Sequence, residues 1–316
     1  MALGVAGVAV GTWTAAEAVS GCTVILPPVG TVGAMAVRGS APGTREAAAL
    51  GPMGKVTVCH GVVLAGGSAF GLAAADGAVR WLEAQGRGYP IGSGVVPIVA
   101  AAIVLDAAAA HPDARPDARA GWEACEAATE AEPAEGRIGV GAGCTVAKVG
   151  GLANAWRSGQ GVAVRRAGGV TVGAIVANNA VGELVGEDGA WLARARVADD
   201  VERFPVVDPF AAAEGGPTSN TVIGCIVTDA ALSKRDAVRV ADLGHSGIAR
   251  ALRPAHTEAD GDALCCLATG RVPARVDLVA ALAAEAVAEA ARRGPLLATG
   301  GPSLPGGPAL PGLAGR

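Results

Sequence analysis

Asn220-Thr221 stands where a polar, Gly- and Pro-containing segment gives way to the run Thr221-Val222-Ile223-Gly224-Cys225-Ile226-Val227-Thr228. A threonine hydroxyl in mid-chain is a poor nucleophile. At a strand start, with a strained peptide bond behind it, its Oγ can attack the Asn220 carbonyl and form an ester that water then opens. The freed α-amine titrates near about pH 8, so it can serve as general base for its own hydroxyl. One residue would then supply both nucleophile and base. The plainer reading is a loop-to-strand boundary, where threonine is favoured by β-propensity.

Other residues invite chemistry. Asn178-Asn179 ends an apolar run, and an amide there can donate to a developing oxyanion or simply make the turn. Asp260-Gly261-Asp262 precedes another apolar run. Carboxylates two residues apart can face one side of an extended chain and together orient the Thr221 amine and hydroxyl; Asp-Gly is also a turn dipeptide. A metal pair would need a histidine constellation that is missing, so neither metal nor cofactor is expected. Ser68 is the rival nucleophile. Gly66-Gly67-Ser68-Ala69-Phe70 lacks the last glycine of a nucleophile elbow, and a serine opening a helix reads as an N-cap. His245 reads as structural or surface, because an amine base needs no imidazole. Arg45 either meets a substrate carboxylate or is a solvated loop charge. The glycines of Gly139-Val140-Gly141-Ala142-Gly143 match neither dinucleotide nor phosphate loops, so they read as places where the backbone passes close to something. Lys148, just beyond them, reads by itself as a surface charge.

These residues need strands and helices to bring them together. Residues 1–40 read as short strands and hairpins. Residues 56–65 read as a buried strand, followed by a helix from Ser68 to 83. Residues 95–99 lead into an Ala-rich helix or strand reaching Asp106, and 121–132 read as a short acidic helix. A hairpin is expected over 162–177, a buried strand over 221–228 and a helix over 232–252 capped by Ser233. A further strand covers 263–268, and an amphipathic helix over 276–293 stops at Gly294-Pro295. Residues 186–219 lack sustained periodicity; a long segment before a scissile bond can move away after cutting. Residues 300–316 read as a disordered tail. Strands, hairpins and helices in this order predict an α+β fold rather than a Rossmann sheet.

Composition narrows the class. Hydrophobic residues are 51 % but aromatics only 3 %, with 48 glycines, so the core must be built from small side chains at close backbone approach. A net charge of −4 without a basic block gives no sign of a nucleic-acid partner. The seven cysteines are scattered without a CxxC pair and read as reduced core thiols in a cytoplasmic protein. No basic residue precedes the first apolar stretch, so no signal peptide is read. The longest apolar run, 95–110, is broken by Pro97 and Asp106 and is too short to span a membrane.

Asn220-Thr221-Val222-Ile223, Val227-Thr228-Asp229-Ala230, Asp260-Gly261-Asp262 and Leu267-Ala268-Thr269-Gly270 resemble the second half of the self-processing L-aminopeptidase/D-amino-acid esterase (DmpA-type) family, which includes β-peptidyl aminopeptidases and nylon-oligomer hydrolases. Leu64-Ala65-Gly66-Gly67-Ser68-Ala69-Phe70-Gly71, Val95-Val96-Pro97-Ile98-Val99 and Asn179-Ala180-Val181-Gly182 extend the resemblance over nearly the whole chain. The resemblance implies a four-layer αββα sandwich of the DmpA/ornithine-acetyltransferase type with an N-terminal nucleophile. It implies one domain, residues 1–316, cut into fragments 1–220 and 221–316 that stay bound. It implies Thr221 as nucleophile, Asn179 as oxyanion donor, Lys148 as a charge in the site, and Asp260 and Asp262 as groups orienting the nucleophile. Asn178 beside Asn179 leaves open which amide donates. The implied substrate is a small peptide or amino-acid amide, and the implied assembly a homo-oligomer of four or more chains. Members often carry a tyrosine near the Asp106 position; here the neighbours are Val104 and Leu105, and the only tyrosine is Tyr89. Acyl transfer of the ornithine acetyltransferase type, or an uncut binding or assembly protein, remain as alternatives.

Overall fold

The computed structural model describes all residues except 17–18, 107–108, 110, 199, 203–205, 207–219 and 302–308. Ten strands form its two main sheets: β1 (Ala9–Thr14), β2 (Gly21–Leu26), β3 (Val32–Val37), β4 (Thr44–Arg45), β5 (Gly61–Ala65), β6 (Val99–Ile103), β7 (Gln160–Ala167), β8 (Val170–Asn179), β9 (Thr221–Ala231) and β10 (Ala263–Pro273). Four helices cover them: α1 (Ala74–Ala84), α2 (Ala118–Glu126), α3 (Lys234–Ala251) and α4 (Val276–Leu296).

One sheet has the order β1-β2-β5-β6-β4, the other β7-β8-β9-β10-β3. Each contains one parallel pair, β5 with β6 and β9 with β10, and antiparallel pairs elsewhere. A parallel pair needs a long crossover. Here α1 and the exposed hairpin of Tyr89–Ile91 with Gly94–Val96 lie between β5 and β6, and α3 lies between β9 and β10.

The central strands are apolar on both faces because both faces are covered. Along β9, Val222, Ile226 and Ala230 join Val240, Ala241 and Val287 of α3 and α4. Ile223, Cys225 and Val227 face the other way, into a layer shared with Ile25, Val62 and Leu64 of the opposite sheet. On that sheet's outer side Val24, Leu26 and Val63 pack with Leu82 of α1 and Ala120 and Ala124 of α2. The result is helix, sheet, sheet, helix, as the resemblance implied. The seven cysteines are all buried free thiols.

Strands β9 and β10 lie between β8 and β3, so residues 221–316 supply the middle of a sheet whose edges come from residues 1–220. Lys234 adds to this joint. Its ammonium donates to the carbonyl oxygens of Val56 at 2.7 Å, Gly33 at 3.2 Å and Ala49 at 3.5 Å.

Several expectations need correction. Helix α4 does not stop at Gly294-Pro295 but runs through both to Leu296. Pro295 has no N–H for the Ala291 carbonyl four residues back; the side chain of Asn178 donates to that oxygen instead, at 2.8 Å. Ser68 opens a 3₁₀ turn, Ser68–Ala73, but is not its cap: Gly67 holds that position and no side chain caps the turn. Instead the Gly67 N–H goes to Asp106 Oδ1 at 2.9 Å and the Ser68 N–H to Val104 O at 3.0 Å. Within the 186–219 segment, Trp191–Ala193 pairs with Glu183–Val185. The part of it nearest the junction, 207–219, lies outside the described residues. The far end of the tail is packed. Residues 302–308 lie outside the described residues, but Leu310 and Leu313 are buried, and Arg157 N–H donates to Pro311 O at 2.9 Å.

Candidate active site

Thr221 is the first residue of β9, and its position follows from two registers. Antiparallel pairing with β8 sets it opposite Asn179. Parallel pairing with β10 brings the preceding residue, Asn220, alongside Asp260. Side chains alternate along a strand, so Thr221 shares the inter-sheet face of Ile223 and Cys225. Asn179 likewise shares the face of Ile175 and Ala177, whereas Asn178 faces helix α4. Thr221 and Asn220 are both buried, and the Thr221 hydroxyl donates to the carbonyl oxygen of Asn220.

Gly261 leaves room for that hydroxyl. A Cβ there would lie 3.2 Å from Thr221 Oγ1 and 2.6 Å from the carbonyl oxygen of Ala41. The backbone of residues 38–41 closes over the acidic pair: Arg38 and Gly39 donate N–H to Asp262 O, and Ala41 to Asp260 O.

The amide of Asn179 is held at both ends. Its Nδ2 donates to Leu105 O at 2.9 Å. Its Oδ1 accepts from Thr145 N–H at 2.9 Å and from Lys148 Nζ at 3.2 Å, and Lys148 also reaches the Asn179 backbone oxygen at 2.8 Å. Lys148 is therefore not a surface charge. Its own N–H bonds Val181 O at 2.9 Å, just beyond Asn179. The glycine run before it lets the chain reach that point: a Cβ on Gly141 would lie 2.1 Å from the backbone nitrogen of Gln160. Burial disfavours the ammonium and brings the Lys148 pKa down to about 7, against the opposing pull of Cys144 and Asp260.

The two carboxylates do different work. Asp262 Oδ1 accepts the N–H of Val222, the residue after Thr221, at 2.6 Å. Asp260 Oδ2 accepts from Thr257 through its N–H at 2.8 Å and its hydroxyl at 2.6 Å. Asp260 Oδ1 is buried without a hydrogen-bond partner. Burial and the neighbouring Asp262 charge push the Asp260 pKa up; Thr257 and Lys148 moderate the rise. That leaves an unpaired carboxylate oxygen beside the start of β9.

Asn220, Thr221, Asn179, Lys148, Asp260 and Asp262 thus converge from four separate stretches of chain. Asn178 does not join them. Arg45 pairs with Asp76 at 2.5 Å on the surface. Tyr89 lies exposed on the Tyr89–Ile91 hairpin strand, and at the 104–105 position the Leu105 backbone oxygen holds the Asn179 amide. His245 is fully buried in α3, with Nε2 3.2 Å from Ala36 O. Sequence reasoning missed His256, whose Nδ1 lies 2.6 Å from Asp262 Oδ2. A single histidine in a loop carries no motif; its nearness in sequence to Asp260 and Asp262 was the only available signal. Among the described residues no group of three or more His, Cys, Asp or Glu forms a candidate metal site, and no helix is long and apolar enough to cross a membrane.

Comparison with known proteins gives a consistent picture. Residues 3–299 match Peptidase family S58. The chain is 43% identical over 278 residues to an uncharacterized aminopeptidase of Mycobacterium tuberculosis, covering 84% of this chain and 78% of that protein. It is 33% identical over 276 residues to a 6-aminohexanoate-oligomer endohydrolase of Kocuria sp., covering 84% and 74%. Among solved structures, a Burkholderia sp. beta-aminopeptidase superposes with a TM-score of 0.75 at 22% identity, covering 99% of this chain and 90% of that one. The L-aminopeptidase D-Ala-esterase/amidase of Ochrobactrum anthropi, described as a variant of the Ntn hydrolase fold, gives 0.74 at 21%, with the same coverage.

Proposed function

This chain belongs to peptidase family S58, and from that premise we propose that it cuts itself between Asn220 and Thr221 and then hydrolyses small peptides or amino-acid amides through Thr221. It is a hydrolase of the N-terminal-nucleophile aminopeptidase kind. The observation that carries the reading of Thr221 is its hydroxyl, buried against the Asn220 carbonyl at the head of β9, with Asn179 opposite and Asp260 beside.

In self-cleavage, Thr221 Oγ attacks the Asn220 carbonyl carbon. The C–N bond breaks, the nitrogen takes a proton, and an ester joins Asn220 to Thr221 Oγ. Water opens the ester, leaving an Asn220 carboxylate and a free Thr221 α-amine. In turnover that amine takes the hydroxyl proton as Oγ attacks the substrate carbonyl. It returns the proton to the leaving amine, and water releases the acyl group. Asn179 donates to the oxyanion once its amide turns from Leu105 O. Lys148 holds Asn179, and while protonated favours the neutral amine. Asp260 accepts from the amine or hydroxyl, and Asp262 fixes the peptide after the nucleophile.

The printed activities of the relatives, aminopeptidase and amide-oligomer endohydrolase, support an amide substrate. We extend the proposal to a cytoplasmic homo-oligomer of four or more chains. The exposed Tyr89, Ile91 and Val96 of the projecting hairpin are consistent with such an assembly.

The test is the intact mass of the purified, denatured protein beside Thr221→Ala. Fragments ending at Asn220 and starting at Thr221 in the parent, one full-length chain in the variant, and hydrolysis of amino-acid amides by the parent alone are expected. An uncut parent without amidase activity would overturn the proposal and leave a binding protein.

A further inference from the structure

The ring of His256 sits between two acceptors. Its Nδ1 lies 2.6 Å from Asp262 Oδ2, and its Nε2 lies 3.2 Å from the carbonyl oxygen of His245. A carbonyl oxygen brings no proton, so Nε2 must carry one. An ionised carboxylate brings none either, so Nδ1 must carry another. Both contacts are satisfied together by an imidazolium facing a carboxylate. The backbone of His256 is in the left-handed region, φ 56°, an uncommon posture outside glycine. The other oxygen of Asp262 accepts the Val222 N–H. One carboxylate therefore joins the His256 ring to the peptide group that follows Thr221.

We propose that His256 is a positioning residue: as an imidazolium it holds the Asp262 carboxylate against the Val222 N–H and thereby fixes the amine and hydroxyl of Thr221. The inference rests on the reading of Thr221 as nucleophile, and it assigns to His256 a task that neither carboxylate can perform alone.

The surrounding charges fit this state. From α3, His245 meets the His256 ring edge-on with centroids 5.0 Å apart. Burial lowers the His245 pKa to about 4, so it stays neutral and adds no competing charge. Arg38, beyond β3, is the nearby cation, and its guanidinium is paired with Asp242 of α3 at 2.8 Å. Burial disfavours the charged form of His256, and Arg38 does so weakly. The hydrogen bond and charge of Asp262, together with the His245 carbonyl, outweigh both, and the pKa stands above the ordinary 6.5. As pH rises through the His256 pKa, Nδ1 loses its proton and faces Asp262 as a bare acceptor. Asp262 is then released from the ring, and the grip on Val222 loosens.

The experiment has two arms. The first uses Thr221→Ala, which stays a single chain, with ¹⁵N-labelled histidine and backbone, followed by NMR from about pH 5.5 to about 9. One of the four histidines should remain an imidazolium above about pH 6.5 and vanish from the spectrum in His256→Asn. The Val222 amide proton should lie far downfield, titrate with the same midpoint, and lose that shift in His256→Ala. A His256 already neutral at pH 6.5, or a Val222 amide indifferent to His256, would overturn the proposal. The second arm measures self-cleavage and amidase rates. His256→Ala should slow both by about tenfold or more, the worth of one charge-assisted hydrogen bond. His256→Asn, which keeps a donor for Asp262, should recover to within about threefold and lose the alkaline decline set by His256. Parental rates and pH profile in both variants would also overturn it. If the parent neither cuts nor hydrolyses, the Thr221 reading fails by itself, and the spectra still decide whether His256 grips Val222 through Asp262.

Discussion

Asn178 and Asn179 are chemically identical neighbours with opposite predicted consequences, and Asn178 can be tested quantitatively against Pro295. Asn178 Nδ2 supplies the hydrogen bond to Ala291 O that Pro295 cannot give, and Asn178 Oδ1 accepts from Ala180 N–H at 3.2 Å. The side chain is fully buried. Truncation to alanine therefore strips a donor from a buried carbonyl and opens a small cavity. The expected loss is about 2–4 kcal/mol, of which an orphaned buried acceptor accounts for about 1–3 kcal/mol. Pro295→Ala restores a backbone N–H at the position that should bond Ala291 O. In that background Asn178→Ala should cost about 1–2 kcal/mol less. The assay is urea unfolding of the four combinations, built on Thr221→Ala so that the polypeptide stays continuous. Equal costs in both backgrounds, to within about 0.5 kcal/mol, would refute the assignment of Asn178 as a substitute for the missing proline N–H. With Thr221 intact, Asn178→Ala should still cut at Asn220 at a temperature where it is folded, whereas Asn179→Ala should not.

Three further outcomes follow from the same geometry. Lys148 has a pKa lowered to about 7 by burial, so between pH 7 and 10.5 the unfolded chain binds more protons than the folded one and stability rises with pH. Between pH 7 and 8.5, Thr221→Ala should gain on the order of 1–2 kcal/mol relative to the same chain carrying Lys148→Met, and parallel unfolding curves would contradict the assigned burial. Gly261→Ala sets a methyl group 2.6 Å from Ala41 O and 3.2 Å from Thr221 Oγ1; displacement of the Thr221 hydroxyl should slow the proposed self-cleavage by on the order of a hundredfold, and cutting at the parental rate would refute the crowding. Lys234→Met removes an ammonium shared among three carbonyl oxygens of residues 1–220; the expected loss is about 1–2 kcal/mol, seen as separation of the two fragments at lower urea, and an unchanged midpoint would remove Lys234 from the joint.

Much of the architecture is legible in the amino-acid order because its signals are local. The apolar run from Thr221 and the run from Ala263 can only be covered strands. Ser233 caps α3 as expected, accepting the Asp236 N–H, and the Gly168-Gly169 turn closes the β7–β8 hairpin. Thr221, Asn179, Lys148, Asp260 and Asp262 could be named from type, spacing and resemblance. Which atoms they offer one another could not, because each contact depends on registers between distant strands. Side chains alternate along β8, so a shift of one residue would exchange Asn178 and Asn179 between the helix layer and the site. Pairing with β9 and the gap left by Pro295 on α4 decide which amide faces Thr221. Two carboxylates that look equivalent in Asp260-Gly261-Asp262 are divided by the same means: Asp262 takes Val222 N–H and the His256 ring, while Asp260 keeps an oxygen beside the Asn220–Thr221 peptide. His256 has no signature in the sequence, since its role arises only where the loop after α3 folds back on Asp262. Local pattern determined which elements form and which residue types could do the chemistry; long-range pairing decided which side chains meet, because hydrogen bonds reach about 3 Å and only the tertiary fold brings these groups that close.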